Sequence, residues 1–516
     1  MRKRTKLATT MVTALVAATM LVPVSTAAAI DEINTMKLRD AVTTAGILGH
    51  ERVLQRIANQ NGGTRASGTP GYAASAQYVK TTLKNAGYQV SEQKFTFPFF
   101  RELEPSLVEQ VSPTPKVYPS TTFTYSGSGD VTGTVVVAGG TVVPPTAGPG
   151  LTTSGCAASD FSPASATEPQ IALVQRGTCN FEIKANNAQA AGYDAVVIFN
   201  EGQTGRTELL AGTLGNPETI PVTGLSYVDG AALYTATQAG PVTLHVATST
   251  EANLEAVTSN IIANTPKGDK NKVIVVGGHL DSVVAGPGIN DNGSGTAAIL
   301  ETAVQMAELK IVPRQQVRFA FWGAEELGLL GSHHYVDTLS NQNLAKIYAN
   351  LNFDMLGSPN YVRFVYDGDG DGSDTALAGP PGSAQIEQIF TSYFASQNLA
   401  SAPTEFSGRS DYGPFIAEGI PAGGLFSGAE GLKTAAQAAI YGGTAGVAYD
   451  VCYHLACDTV NNLSTKALGE MGDAVADSVL TLAKTKSGFF EDGSRIAARQ
   501  AVSMDQFDNV GGLWVR

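Results

Sequence analysis

Two histidines and a group of carboxylates, most of them placed just past apolar runs, are the residues in this sequence best equipped for chemistry. The run VIVVGGHLDS passes through Gly277 and Gly278 to His279 and Asp281. Asp291 follows in GINDNGSGTAAILE, where Gly293 and Gly295 open what reads as a new helix. QVRFAFWG runs into Ala324, Glu325 and Glu326, KIYANLNFDM reaches Asp354 near its end, and VCYHLAC carries His454 between two cysteines. Neighbouring acids such as Glu325 and Glu326 repel each other unless a cation separates their tasks. Imidazole and carboxylate with no thiolate suit zinc or another borderline divalent ion that keeps a position open to water. His279, Asp291, Glu326, Asp354 and His454 together exceed the needs of one tetrahedral catalytic site. The count therefore predicts two metals sharing a carboxylate, about 3.5–4 Å apart.

Such residues need elements that bring them to one place. After Ser259 the pattern alternates between strand and helix, through KVIVVGGHLDS, TAAILETAVQMAEL, QVRFAFWGAEE and KIYANLNFDM. That alternation predicts an α/β fold, a three-layer sandwich around a largely parallel mixed central sheet, with chemistry at the carboxyl ends of the strands. From Asn34 to Phe100 the sequence reads as helices giving way to an alternating strand. Between Arg101 and Glu255 it shifts to short runs rich in Thr, Val, Gly, Ser and Pro, such as GTVVVAGGTVV, IALVQRG and DAVVIFN, with one helix, FEIKANNAQAAGY. These read as the strands of an inserted module.

A chain of 516 residues exceeds what one core supports, so a catalytic domain of roughly 300 residues and a further module are expected. The organisation expected is a signal segment at 1–29, the first part of the catalytic domain at 30–100, the insert at 101–255, the main catalytic part at 256–485 and a tail at 486–516. A net charge of -13 would repel phosphate backbones and argues against nucleic acid as a partner. The basic start, apolar stretch and Ala27-Ala28-Ala29 finish match a cleaved secretory signal, the alternative being an N-terminal anchor. A secreted, extracellular monomer without a stable membrane anchor is expected. Outside the cell disulfides persist. Closeness in sequence pairs Cys156 with Cys179 and Cys452 with Cys457, the alternative being buried free thiols.

With those residues in view, the chain resembles the two-zinc aminopeptidases of the Streptomyces and Vibrio leucine aminopeptidase type. The likeness lies in GGHLDS, the aspartate of GINDNGSG, WGAEELGLLGS, NFDM and CYHLACDT, in the family's order, over roughly 34–100 and 255–485. The resemblance implies two Zn2+ per chain and hydrolysis at peptide or protein N-termini, with a preference for large hydrophobic first residues. Together with the ligand count it implies Asp291 as the bridge, His279 and Asp354 on one ion, and Glu326 and His454 on the other. Glu325, left without a metal, is then the general base. Asp281 matches the family's aspartate that orients the first imidazole. The resemblance also implies a cis bond at Asp291-Asn292. By position, Arg409 in SGRSDYGPF, Phe426 in GGLF and Tyr453 match substrate-contacting residues of the Streptomyces-type enzymes. Tyr453 would donate to the oxyanion, Arg409 would help hold the peptide terminus or its acid partners, and Phe426 would line an apolar pocket. The insert resembles a protease-associated domain in IALVQRGTCNFEIKANNAQAAGYDAVVIFNE and IPVTGLS, which implies a lid or docking surface without catalytic groups.

Other readings are weaker. The same scaffold resembles glutamate carboxypeptidases and glutaminyl cyclases, and some relatives are metal-free receptors or binding modules; a docking or adhesion protein built around the insert is a further alternative. His50 and His245 are given no role, and His333 and His334 read as surface or packing residues on the helix after the acid pair. Asp367, Asp369 and Asp371 with Gly372 begin like a calcium loop, but Ala378 stands where the closing glutamate belongs, so a plain polar turn competes with Ca2+ binding.

Overall fold

The computed structural model describes residues 31–372 and 377–486. The expected signal at 1–29 and all but the first residue of the expected tail at 486–516 lie outside the described residues.

The apolar run of Val273, Ile274, Val275 and Val276 explains the architecture. All four are buried, yet Ile274 and Val276 pack into one core while Val273 and Val275 pack into another. A strand whose side chains alternate between two cores must be apolar throughout, because a layer covers each face. The first layer contains the helices Thr44–Gln60, Pro70–Asn85, Gly295–Glu308, Ser383–Ser396 and Thr465–Lys484. On the other face lie the helices Leu330–Asp337 and Gly413–Ala417, packed through Tyr335, Val336 and Phe415. Three of the longer helices start where the sequence supplies a cap: the Thr43, Thr69 and Ser464 side chains accept from the N–H groups of Gly46, Tyr72 and Ala467. The expected three-layer α/β sandwich is the observed fold.

The strands that carry the site are labelled here in chain order: β1 Gln89–Ser112, β2 Thr243–Asn264, β3 Asp269–His279, β4 Gln315–Trp322, β5 Ile347–Phe353, β6 Phe364–Tyr366, β7 Ala402–Thr404 and β8 Ala422–Phe426. Their order in the sheet is β7-β6-β8-β5-β3-β4-β2. Strands β4, β3, β5 and β8 run parallel, so their carboxyl ends share one edge. That edge receives His279 at the last position of β3, the Glu325 and Glu326 loop after β4 and Asp354 just after β5. Gly295 shows how tightly the next helix seats there: a Cβ at this position would lie 2.2 Å from the carbonyl oxygen of Phe353.

The sheet continues into the insert. Beyond β2 come Gly129–Val137, Gln170–Gln175, Ala195–Phe199, Val222–Leu225 and Thr121–Thr122, giving one sheet of 14 strands. Strands β1 and β2 pair antiparallel from Gln89 against Asn264 to Ser112 against Thr243. Residues 101 and 255 therefore lie inside continuous strands, and a two-stranded ribbon joins the two parts. The insert keeps its own cores, with Ile171 and Leu173 on one face and Ala172 and Val174 on the other. The helix expected in FEIKANNAQAAGY spans Phe181–Ala190, but the insert holds a second helix, Tyr227–Ala239, where only one was expected; its N-cap Ser226 accepts from the Asp229 N–H. Both expected disulfides are present, Cys156–Cys179 in the insert and Cys452–Cys457 beside the sheet edge.

Candidate metal centre

Asp291 occupies the middle of the site. Its Oδ1 lies 3.2 Å from His279 Nε2 and its Oδ2 lies 3.2 Å from His454 Nε2. On the first side, Asp354 Oδ1 is 3.3 Å from the same His279 nitrogen. On the second, Glu326 Oε2 is 3.1 Å from His454 Nε2. The five side chains thus form two groups, His279-Asp291-Asp354 and Asp291-Glu326-His454, with Asp291 common to both. Glu325 approaches from the side, its Oε2 being 3.8 Å from His279 Nε2.

Local backbone delivers these groups. The Asp291-Asn292 bond is cis, as the family resemblance implied. Ala324, next to Glu325, Met355, next to Asp354, and His454 itself all have positive φ. Non-glycine residues in that region carry a conformational cost, and such residues cluster at functional sites. The expected placement of the chemistry at the carboxyl ends of strands does not extend to His454. It sits in a turn closed by Cys452–Cys457, so a covalent ring positions it rather than a strand.

Electrostatics would oppose this assembly if nothing compensated the charge. Burial pushes the Glu325 carboxyl well above its ordinary range, and Asp411, Asp354 and Glu326 push it further, against His279. Burial and Asp291 raise Glu326 to about 7. Burial also works to raise Asp291, but hydrogen bonds from His279 and His454 carry it below the usual carboxylate range. His454 is disfavoured as a cation by burial yet raised to about 10 by Asp291 and Glu326. The donor set fits divalent cations. Asp354 Oδ1 and Glu326 Oε1 are buried oxygens without a hydrogen-bond donor, and both residues belong to the paired groups around Asp291. Unsatisfied buried carboxylate oxygens are costly, and a coordinated cation removes that cost.

Surrounding residues hold these side chains in place. Ser410 donates to Asp354 Oδ2 at 2.7 Å and leaves Oδ1 for the centre. Asp281 lies beside the first imidazole, its Oδ1 being 3.7 Å from His279 Nδ1, while its backbone oxygen is nearer at 3.2 Å. The same carboxylate accepts from the Glu325 N–H at 3.2 Å, tying the first histidine to the acid pair. Arg409, Phe426 and Tyr453 all line the same cleft of ≈ 220 Å³, with Met355, Tyr366 and Tyr412 adding apolar wall.

Several residues with a part in the site carried little sequence signal. Glu430 receives Arg409 Nη1 at 2.7 Å, and Asp411 is buried near Glu325. His333, read as a surface or packing residue, lines the cleft, whereas His334 stacks on Phe95. His50 pairs with Tyr78 and Glu301, and His245 with Asp130, both away from the centre. Asp367, Asp369 and Asp371 gather with Glu387, which comes from the following helix rather than from loop position twelve. Asp367 accepts from the N–H groups of Gly370 and Gly372, the hydrogen bonds of a polar turn.

Comparison with known proteins then places the chain. Residues 260–479 match peptidase family M28, and residues 131–233 match the PA domain. An aminopeptidase of Pseudomonas aeruginosa is 49% identical over 82% of this chain and 78% of its own length. The chain belongs to peptidase family M28. A probable lipoprotein aminopeptidase of Mycobacterium tuberculosis is 40% identical over 87% of both chains. Among solved structures, the aminopeptidase from Aneurinibacillus sp. strain AM-1 superposes with a TM-score of 0.61 at 26% identity, covering 87% of this chain and 96% of that one. A zinc aminopeptidase from Bacillus subtilis gives 0.59 at 26% identity, covering 87% and 97%. The Asp291 centre of this M28 chain falls within the matched family region, and the strand-rich insert contains the PA match.

Proposed function

We propose that the chain is a secreted aminopeptidase whose two zinc ions are held by His279 and Asp354, by Glu326 and His454, and jointly by Asp291. The observation that carries this reading is the placement of the two Asp291 oxygens, one toward each histidine. The orphaned oxygens of Asp354 and Glu326 support it, as do relatives and matching structures that are named aminopeptidases. When bound, such a metal pair acidifies a water and polarises the scissile carbonyl.

The chain's own groups divide the remaining work. Glu325 takes the proton of the attacking water and returns it to the leaving amine. Tyr453 donates its hydroxyl proton to the oxyanion of the tetrahedral species. Carboxylates around the centre attract the free α-ammonium of the substrate, favouring a chain terminus over an internal peptide bond. Met355, Tyr366 and Phe426 give the first side chain an apolar wall, which supports a preference for large hydrophobic first residues. Two disulfides and the basic-apolar-small N-terminus support an extracellular location. Among the described residues no helix is long and apolar enough to cross a membrane.

Hydrolysis of aminoacyl p-nitroanilides before and after chelation, followed by zinc add-back, tests the proposal. Leucyl substrate should be cleaved, cleavage should stop without metal and return with zinc, and an N-acetylated substrate should resist. Equal cleavage of blocked and free termini, or activity indifferent to the chelator, contradicts it.

A further inference from the structure

Asp458 immediately follows the disulfide ring that carries His454. The residue is 1% exposed. Its backbone oxygen accepts from the Ile289 N–H at 3.2 Å. Its Oδ1 accepts from the Asn290 N–H at 2.8 Å, and its Oδ2 accepts from the Asp291 N–H at 3.0 Å. One residue thus grips three successive amides of the segment that ends in the shared carboxylate.

We propose that Asp458 is a positioning residue that clasps the Asp291 segment to the His454 ring and so fixes the spacing on which the metal pair depends. His454 and Asp291 lie far apart in sequence, and no regular ladder joins their segments; the Asp458 contacts are direct links between them. A loosened turn would separate Asp291 Oδ2 from His454 Nε2, now 3.2 Å apart, while leaving each residue in place on its own segment. Groups that orient ligands without touching metal commonly govern affinity by about 10–100-fold. Carboxylate chemistry is needed here because two adjacent donors converge on one side chain. An amide would offer one acceptor oxygen and turn an N–H₂ donor toward the other backbone donor.

The inference rests on the proposed dinuclear centre, and its test separates the two. Full-length wild type and Asp458→Asn are loaded with zinc, and release to a chromophoric chelator is followed alongside the melting temperature of the metal-free forms. Asp458→Asn should release zinc about tenfold to a hundredfold faster, with its metal-free melting temperature near that of wild type. A lowered melting temperature with wild-type zinc release would show a merely structural role and overturn the clasp alone. Wild type that binds no zinc would overturn both the clasp and the centre. Should Asp458→Asn fail to accumulate as folded protein, Asp458→Glu takes its place, keeping both oxygens but shifting them by one methylene. It is expected to show faster release, and wild-type release from it likewise counts against the clasp.

Discussion

Arg409 donates Nη2–H to the Tyr453 hydroxyl oxygen at 3.1 Å, while Nη1 is held by Glu430 at 2.7 Å. Because that hydrogen bond occupies a lone pair of Tyr453, the phenolic proton remains available to donate. Burial and the nearby Asp291 and Glu326 charges hold the phenol well above its ordinary range, so it stays protonated. Tyr453→Phe should therefore lower kcat by about 10²–10³-fold while changing KM little, as expected on losing an oxyanion donor. Arg409→Met should give a smaller loss, since the phenol stays but is less well oriented. Steady-state kinetics of both variants check this, and an unchanged kcat in Tyr453→Phe would remove the residue from the mechanism.

Glu325 carries the proposed proton shuttle yet is not required as a ligand. Glu325→Gln keeps the size and polarity of the side chain but cannot accept the proton. Turnover should fall by about 10²–10⁴-fold while zinc content stays at the wild-type level. Metal analysis of the purified variant beside its kinetics decides the point, because loss of zinc would make Glu325 a ligand instead.

Asp291 is the member common to both groups of candidate ligands. Removing it withdraws one oxygen from each, so Asp291→Ala should lose both ions together instead of one after the other. His454→Ala, which removes a ligand from one group only, should weaken one ion more than the other. Two ions retained at full occupancy in Asp291→Ala would be incompatible with a bridge.

The core pattern and the positions of the residues that converge on Asp291 were readable in the sequence for a common reason. The buried parallel strands are mostly apolar, Asn350 and Asn352 in β5 being exceptions, so the first charged or imidazole side chains after Val276, Trp322 and Phe353 mark the edge where the site lies. His454 was recognisable from the cysteines that flank it, although its delivery by a turn was not. Asp458 and Glu430 act by satisfying backbone amides and an arginine that come from distant parts of the chain, and no local spacing encodes such contacts. The strands of the insert and its helix Phe181–Ala190 were readable, whereas the helix Tyr227–Ala239 was not, and continuity with the main sheet depends on the β1 and β2 pairing, which is a tertiary property.

Phe426 stacks on Phe364 with ring centroids 6.0 Å apart and lines the cleft that also holds the candidate metal centre. Its truncation should penalise large first residues more than small ones. For Phe426→Ala, kcat/KM on leucyl p-nitroanilide should fall by about 10–100-fold relative to alanyl p-nitroanilide. A uniform loss on both substrates would assign Phe426 to packing in place of selectivity.

In the PA region, Lys184 is fully buried in the helix Phe181–Ala190 and donates Nζ–H to the Ser154 carbonyl. Burial lowers its ammonium pKa to about 8, with Glu201 and Asp160 opposing the shift. An unfolded lysine titrates near ~10.4. Below pH 8 both states carry the proton, and the folded state bears the full cost of burying the charge. Between those two values the folded amine sheds its proton while the unfolded chain keeps it, so wild-type stability rises with pH from this group. Lys184→Met lacks the charge and therefore lacks that rise, while the Ser154 carbonyl it leaves unpaired costs the same at every pH. The melting temperature of wild type relative to Lys184→Met should increase by on the order of a few degrees from pH 7 to 10. Paired thermal melts across that range measure the difference directly, and a flat difference would show that the buried amine is not held below its ordinary pKa.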